Sequence, residues 1–294
     1  MGPLRNALPR DLADVLHYFL PELDDEREAG APAPASEPLR TEGSDPLAAR
    51  AARHPETPEQ SSVAPPPLPI LALPIGDRDV VRAALAWNLA VETSRLGAST
   101  VVLAPESDRQ RPLWPEAGIG PLGCELLLCP AKDLASLYAT ATTIATARAT
   151  KTRRGGVVFV RVPPEWLTNP AAPPDLVRWV LLMSSSNRHD LGEALEFAES
   201  LADIHSSVEV GVTVHGVQSI AEARRAFEAL ARAAKDQLEL DLISYGLLVD
   251  DLNVYRAIAA QRPIGLAHPQ APATRALMDV ARLLYEDARS RVLG

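Results

Sequence analysis

The chain has 294 residues, 47% of them hydrophobic, so it is long enough to bury a sizeable core. Its formal net charge of −9 argues against a protein that coats nucleic acid with a basic face. Its two cysteines, Cys124 and Cys129, predict buried reduced thiols rather than a disulfide framework or a metal site. The sequence contains no run of 18 apolar residues and no N-terminal signal pattern, which predicts a cytoplasmic protein without a transmembrane helix.

Near the N-terminus, residues 9–23 carry apolar side chains at helical spacing. Pro9 suits the start of a helix and Pro21 its end, so residues 1–23 are predicted to hold one amphipathic helix. Its apolar face binds either a partner protein or the globular part of the same chain, and the sequence leaves both alternatives open. That face comprises Leu12, Val15, Leu16, Phe19, Leu20 and Leu23.

The next segment, residues 24–67, holds nine of the chain's 27 prolines and has no aromatic residue and no isoleucine. Such a composition buries too little apolar surface to offset the entropy lost on ordering. We therefore predict a disordered linker over residues 24–67 and a globular domain over residues 68–294.

From residue 68 onward, short apolar runs alternate with segments of helical periodicity. This alternation predicts an α/β fold, with a mostly parallel sheet of about seven strands and helices on both faces. The predicted strands are residues 68–73, 98–104, 125–129, 156–162, 177–183, 208–214 and 240–248. The predicted helices include residues 133–147, 190–204 and 219–238, and a C-terminal helix from about Pro272; Ser219 followed by Glu222 is a helix-capping pattern.

The stretch Leu68 to Ala90, LPILALPIGDRDVVRAALAWNLA, begins with a strand pattern, turns at a glycine and continues as a helix. Strand, glycine-bearing turn and helix is the layout of a phosphate-binding loop, in which backbone N–H groups and a lysine meet the phosphates. The turn here reads GDRDVVR, so it lacks both the further glycines and the lysine.

This stretch resembles the first strand, loop and helix of the MinD/ParA family of deviant Walker ATPases, and within it the FlhG-like branch. The family loop reads GKGGVGKT and its helix ends in ANLA, which aligns without a gap on AWNLA at residues 86–90. The alignment places Gly76 on the first glycine, Asp77 on the signature lysine and Arg82 on the Walker lysine. The remaining glycines are replaced by Arg78, Asp79 and Val81.

Later segments extend the resemblance to about residues 68–288. GVVFVRV followed by two prolines matches a family stretch that reads like VVIDTPPG, and Arg161 stands at the aspartate that organises magnesium there. His215 stands where the family has an asparagine that reads the nucleotide base, although a strand-end histidine without a ligand is the simpler interpretation. The block from Ser244 to Leu284 is similar in order and spacing to the closing segment of FlhG-like proteins.

The resemblance implies a three-layer P-loop NTPase-like fold whose nucleotide positions, Gly76, Asp77, Arg82, Arg161 and His215, are degenerate. We interpret the protein as a pseudo-ATPase without catalytic residues, metal ligands or a cofactor, which regulates the positioning of a cellular machinery by binding proteins. One alternative is an active but divergent ATPase that binds ATP and Mg²⁺ weakly. Another, a factor that binds nucleoid or membrane, is disfavoured by the acidic charge.

The resemblance also implies the kind of partner. We expect a protein partner to bind the N-terminal helix, together with a homodimer or a heterodimer with a true MinD/ParA-like ATPase. DNA and membrane are not expected partners.

Overall fold

The computed structural model describes residues 65–76, 78–106, 115–167 and 174–293. The predicted N-terminal helix, nearly all of the predicted linker and Asp77 lie outside these residues. Within them a single sheet of eight strands forms. The strands are β1 (Ile70–Pro74), β2 (Ser99–Pro105), β3 (Gly118–Ile119), β4 (Glu125–Cys129), β5 (Gly156–Val162), β6 (Trp179–Ser185), β7 (Glu209–Val217) and β8 (Ile243–Val249).

Seven α-helices accompany the sheet within the described residues. They are α1 (Val80–Arg95), α2 (Leu134–Ala149), α3 (Arg188–Ile204), α4 (Ile220–Leu238), α5 (Leu252–Ala259), α6 (Ile264–Ala267) and α7 (Pro272–Leu293). Short 3-10 turns lie at Pro121–Gly123, Pro164–Trp166 and Pro174–Val177. No described helix is both long enough and apolar enough to cross a membrane.

The strand order is β3-β4-β2-β5-β1-β6-β7-β8, and every neighbouring pair is parallel except β3 with β4. The predicted mostly parallel α/β sheet is therefore confirmed. The added eighth strand is β3, whose two exposed residues carry no apolar run that sequence periodicity can detect.

Burial explains why the strand sequences are continuous apolar runs rather than alternating ones. In β5, six of seven residues are buried, because a parallel sheet is covered by helices on both faces. Gly156 opens this strand, and a Cβ there would lie 2.0 Å from the carbonyl oxygen of Ser99 on β2. Glycine is therefore required for β2 and β5 to approach each other.

The helices form two layers, since strand–helix–strand crossovers are right-handed. From β1 the chain crosses through α1 to β2 on one side, whereas α3 and α4 connect β6, β7 and β8 towards the other side. This places α1 on one face and α2, α3 and α4 on the other. Helix α7 returns to pack against α1, β8 and β5, which completes the first layer.

Polar residues at the helix starts fix where the helices begin. Asp133 caps α2 in a capping box with Ser136, and the Asn187 side chain accepts from the Asp190 N–H of α3 at 2.8 Å. The predicted cap of α4 is confirmed, since the Ser219 hydroxyl accepts from the Glu222 N–H at 3.2 Å. Helices α1 and α3 each follow a parallel strand, β1 and β6, so their first turns lie at the carboxyl edge of the sheet.

Candidate functional site

The carboxyl edge between β1 and β6 is the topological switch point of this sheet. The chain crosses from β1 to β2 in one direction along the sheet and from β6 to β7 in the opposite direction. Strands β2 and β7 therefore lie on opposite sides of the β1–β6 pair. Open α/β sheets bind their ligands in the crevice outside the strands at such a point. The loop after β1 and the first turns of α1 and α3 line this crevice, so it is the candidate site.

The loop after β1 folds back on itself instead of presenting free N–H groups. The Asp79 N–H donates to the Gly76 carbonyl at 3.0 Å, and the Val80 N–H donates to the Arg78 carbonyl at 3.0 Å. Asp79 also caps α1, because its carboxylate accepts from the Arg82 N–H at 2.8 Å. A phosphate-binding loop needs such N–H groups to point at the anion, whereas here three of them are engaged within the loop.

Arg82, from the first turn of α1, has a side chain only 10% exposed and surrounded by carboxylates. Its guanidinium lies 2.7 Å from Glu193 Oε2, 3.2 Å from Asp79 Oδ2 and 3.9 Å from Asp190 Oδ2. Glu193 and Asp190 belong to α3, on the opposite face of the sheet, so Arg82 joins the two helix layers across the crevice. We call Arg82, Asp79, Asp190 and Glu193 the Arg82 cluster.

The charge of Asp190 is stabilised by its surroundings. Partial burial alone would raise the pKa of this carboxyl, but hydrogen bonding with Ser185 and Asn187 and the charge of Arg82 outweigh burial and lower the pKa. Asp190 also lies in the first turn of α3, where the helix dipole favours a negative charge. Asp190 is therefore stabilised in its negatively charged form within the Arg82 cluster.

His215 lies near the end of β7, beside Ser185 of β6 and Leu248 of β8 in the strand register. Its Nε2 atom is buried and has no hydrogen-bond partner within the described residues. Burial and, secondly, the charge of Arg82 lower the pKa of His215, against the smaller opposing effects of Asp79 and Asp190. The ring is thus held neutral next to the Arg82 cluster.

A shallow cavity adjoins His215 at the carboxyl ends of β7 and β8. Its volume is about 20 Å³, which is room for about one water molecule. Apolar residues of α1, α5 and α7 make up half of the lining. The other half comes from the ends of β7 and β8 and the residues that follow β8: His215, Gly216, Leu248, Val249, Asp250 and Asp251. The walls include Val81, Leu85, Val254, Tyr255, Ala273 and Leu277.

The remaining predicted site residues are arranged around the loop. Gly76 opens the loop, and a Cβ added there would meet nothing within 4 Å, so no contact in this structure demands glycine at this position. Arg161 is half-buried on β5 and aligned with Leu73 of β1. Because β5 and β7 flank β1 on opposite sides, the structure brings Arg82 and His215 together and places Arg161 on the other side of the loop.

Sequence reasoning missed the partners of Arg82. Glu193 lies 111 positions from Arg82, inside a helix whose periodicity gave no sign of an ion pair. Asp251 has a structural role: its carboxylate accepts from the Asn253 N–H at 2.8 Å and from the Ala273 N–H at 3.3 Å, which caps both α5 and α7.

These residues do not fit a magnesium–triphosphate group. Three N–H groups of the loop region are engaged internally, and the Arg82 guanidinium already lies beside three carboxylates. No group of acidic, histidine or cysteine side chains among the described residues is arranged to hold a metal ion.

Comparison with known proteins gives matches among solved structures. No protein-family model and no curated protein matches the chain by sequence. The MinD cell division protein of Aquifex aeolicus superposes with a TM-score of 0.54 at 16% identity, over 74% of this chain and 96% of that one. The MinC:MinD cell division protein complex of the same organism matches with a TM-score of 0.53 at 17% identity, over 74% and 95% of the two chains.

The septum site-determining protein MinD of Pyrococcus horikoshii, complexed with Mg-ADP, gives a TM-score of 0.52 at 10% identity, over 74% of this chain and 95% of that one. Identities this low establish a shared fold. The described part of the chain therefore has the α/β fold of the MinD/ParA P-loop ATPases.

Proposed function

We propose that this protein is a pseudo-ATPase with a MinD/ParA-type fold, which acts by binding proteins rather than by hydrolysing a nucleotide. The observation that carries the proposal is the Arg82 cluster. At the switch point, where a related fold would hold phosphates, this chain places a buried arginine against three of its own carboxylates. The protein's own side chains thus take the place of the anion.

Electrostatics support this assignment. One arginine against three carboxylates gives the Arg82 cluster a formal charge of 1 − 3 = −2. Two unit charges 4 Å apart at an effective dielectric near 20 interact by about 4 kcal/mol, so a polyphosphate entering this crevice meets a substantial barrier. To bind Arg82, it would also have to displace carboxylates from α1 and α3.

The proposed role follows from the fold and from the sequence of the N-terminal segment. MinD is described in a complex with MinC, so the fold is used as a protein-binding platform in at least one similar structure. In this chain we assign partner binding to the apolar face of residues 9–23. The proposed function uses both the globular fold and the N-terminal segment. It is that of a cytoplasmic regulator that positions a cellular machinery, as an FlhG-like homodimer or in a heterodimer with a true ATPase of this fold.

A steady-state phosphate-release assay with Mg-ATP tests the proposal. Wild-type protein and Arg82→Lys are both expected to give background release, because a lysine restores neither the loop N–H groups nor a magnesium ligand. An active MinD-type ATPase serves as the positive control. Turnover by the wild type that disappears in a folded Arg82→Ala variant would show a divergent active site and overturn the proposal.

A further inference from the structure

One side of the candidate site presents apolar side chains that no described residue covers. On α5, Leu252 is 70% exposed and Tyr255 is 49% exposed. These residues are three apart and so lie on the same side of the helix. Tyr255 also forms a wall of the shallow cavity next to Val81 of α1. We call the surface formed by Leu252, Tyr255, Val81 and the cavity that Tyr255 and Val81 line the α5 groove.

The shape of the α5 groove favours a peptide segment over a small molecule. Its enclosed volume of about 20 Å³ buries no more than the tip of a side chain, whereas small-molecule sites enclose most of their ligand. An amphipathic helix needs only a shallow apolar surface into which anchors at positions i, i+3, i+4 and i+7 project. Leu12, Val15, Leu16 and Phe19 have this spacing within the same chain.

The length of chain before the described domain allows that segment to reach the groove. The described chain begins at Pro65, and the Leu68 N–H donates to the Ala145 carbonyl near the amino edge of the sheet. The groove lies at the carboxyl edge beside β8, about 17 Å farther along a strand of five residues at ~3.3 Å each. It also lies three strands across the sheet from β1, at ~4.8 Å per strand. Residues 24–64 number 64 − 23 = 41. A flexible linker of that length has an r.m.s. span of about 35 Å.

We propose that residues 9–23 dock in cis on the α5 groove of the same chain, with the apolar face of the predicted helix covering Leu252 and Tyr255. The linker's r.m.s. span of about 35 Å exceeds the distance to be covered, so the segment can reach the groove, and the tether keeps its effective concentration there high. The docked state hides the face that binds the partner, so a partner must compete with the groove for it. This inference goes beyond the proposed function and does not depend on whether ATP is hydrolysed.

A second exposed apolar group, Ile119, Leu122 and Leu128, lies at the other end of the sheet. It follows residues 107–114, which the structure does not describe, so its exposure does not define a free surface. It provides a control position, because Ile119 is 82% exposed and β3 is separated from β8 by the full width of the sheet.

Disulfide trapping in the full-length chain tests the proposal. A Leu20→Cys/Leu252→Cys variant is oxidised at low protein concentration and compared with Leu20→Cys/Ile119→Cys. The native Cys124 and Cys129 are buried, which limits competing pairing. We expect an intramolecular crosslink that forms about tenfold faster with Leu252→Cys than with the control position, because docking raises the effective concentration locally.

Two further variants test whether the apolar face causes the crosslink. Adding Leu16→Asp should reduce the rate to that of the Ile119→Cys control, whereas adding His17→Asp, the same new charge on the polar face, should leave the rate unchanged. Equal rates at both cysteine positions would overturn the proposal, as would crosslinks that form only between two chains. Circular dichroism confirms that each variant is folded, and Mg-ATP turnover measured in parallel reports separately on the proposed function.

Discussion

Arg82 holds the two helix layers together at the carboxyl edge. We expect Arg82→Ala to lower the free energy of unfolding by about 2–4 kcal/mol, because it leaves three partly buried carboxylates without their counter-charge. Urea unfolding measures this change. The matched control is Lys235→Ala, which breaks an ion pair whose two side chains are 56% and 58% exposed, and such pairs contribute about 0–1 kcal/mol. Equal effects of the two substitutions would show that the Arg82 cluster is an ordinary surface ion pair.

His215 makes stability depend on pH. Its folded-state pKa is lowered, so the unfolded chain binds the proton first as the pH falls below the ordinary histidine value of 6.5. The contribution of neutral His215 is complete above pH 6.5 and is lost as the pH falls towards the folded-state pKa. We expect wild-type protein to lose stability more steeply than His215→Asn as the pH falls below 6.5.

The control for His215 is His189→Asn, at an exposed position in the first turn of α3. Chemical denaturation at several pH values gives the slopes. If His215→Asn has the same pH dependence as the wild type and His189→Asn, the half-buried His215 ring has no part in that dependence.

At the scale of secondary-structure elements, Tyr245 links its own strand, β8, to β6 and α7. Its fully buried hydroxyl accepts from Trp179 Nε1 of β6 at 3.1 Å and donates to Asp287 Oδ2 of α7 at 2.6 Å. Tyr245→Phe should lower the free energy of unfolding by about 1–3 kcal/mol, because the buried indole N–H of Trp179 loses its acceptor. Thermal unfolding is the measurement, with Tyr255→Phe at the half-exposed position of α5 as the control. A Tyr245→Phe variant as stable as that control would contradict this role for the hydroxyl.

The elements themselves were largely predictable, because each depends on local pattern. Gly156–Val162 and Glu125–Cys129 are apolar runs of strand length, and both have the predicted bounds. The α4 helix begins where its capping serine indicated. The predicted first strand began two residues too early, since apolar Leu68 and Pro69 precede the residues that pair with β5.

The candidate site was predictable only in part. The loop position and its missing glycines follow from residues 76–82, which adjoin one another in sequence. The partners of Arg82 do not, because Asp190 and Glu193 meet it only once β1 and β6 become neighbours in the sheet. An ion pair between residues this far apart leaves no periodic signal in a single sequence. The exposure of Tyr255 could not be predicted either, because it depends on how α5 packs against the rest of the domain.

At the scale of the whole molecule, the sheet is that of a MinD/ParA-type protein, whereas the crevice is occupied by the chain's own charges. Any dimer of this chain should therefore form independently of nucleotide. Sedimentation velocity with and without Mg-ATP, at several protein concentrations, should give superimposable distributions. A shift towards dimer that requires ATP would mean that nucleotide enters the interface.

Mg-ATP binding at equilibrium is the most direct test of the central claim that the Arg82 cluster replaces the nucleotide. At about 100 times its Kd, a ligand specific for the folded state adds about 2.7 kcal/mol, which raises the Tm of a domain of this size by about 5–10 °C. We predict that the Tm of the full-length protein stays unchanged in about 5 mM Mg-ATP. A rise of several degrees that Arg82→Ala abolishes would contradict the account, because it would show that Arg82 binds phosphate and not its neighbouring carboxylates.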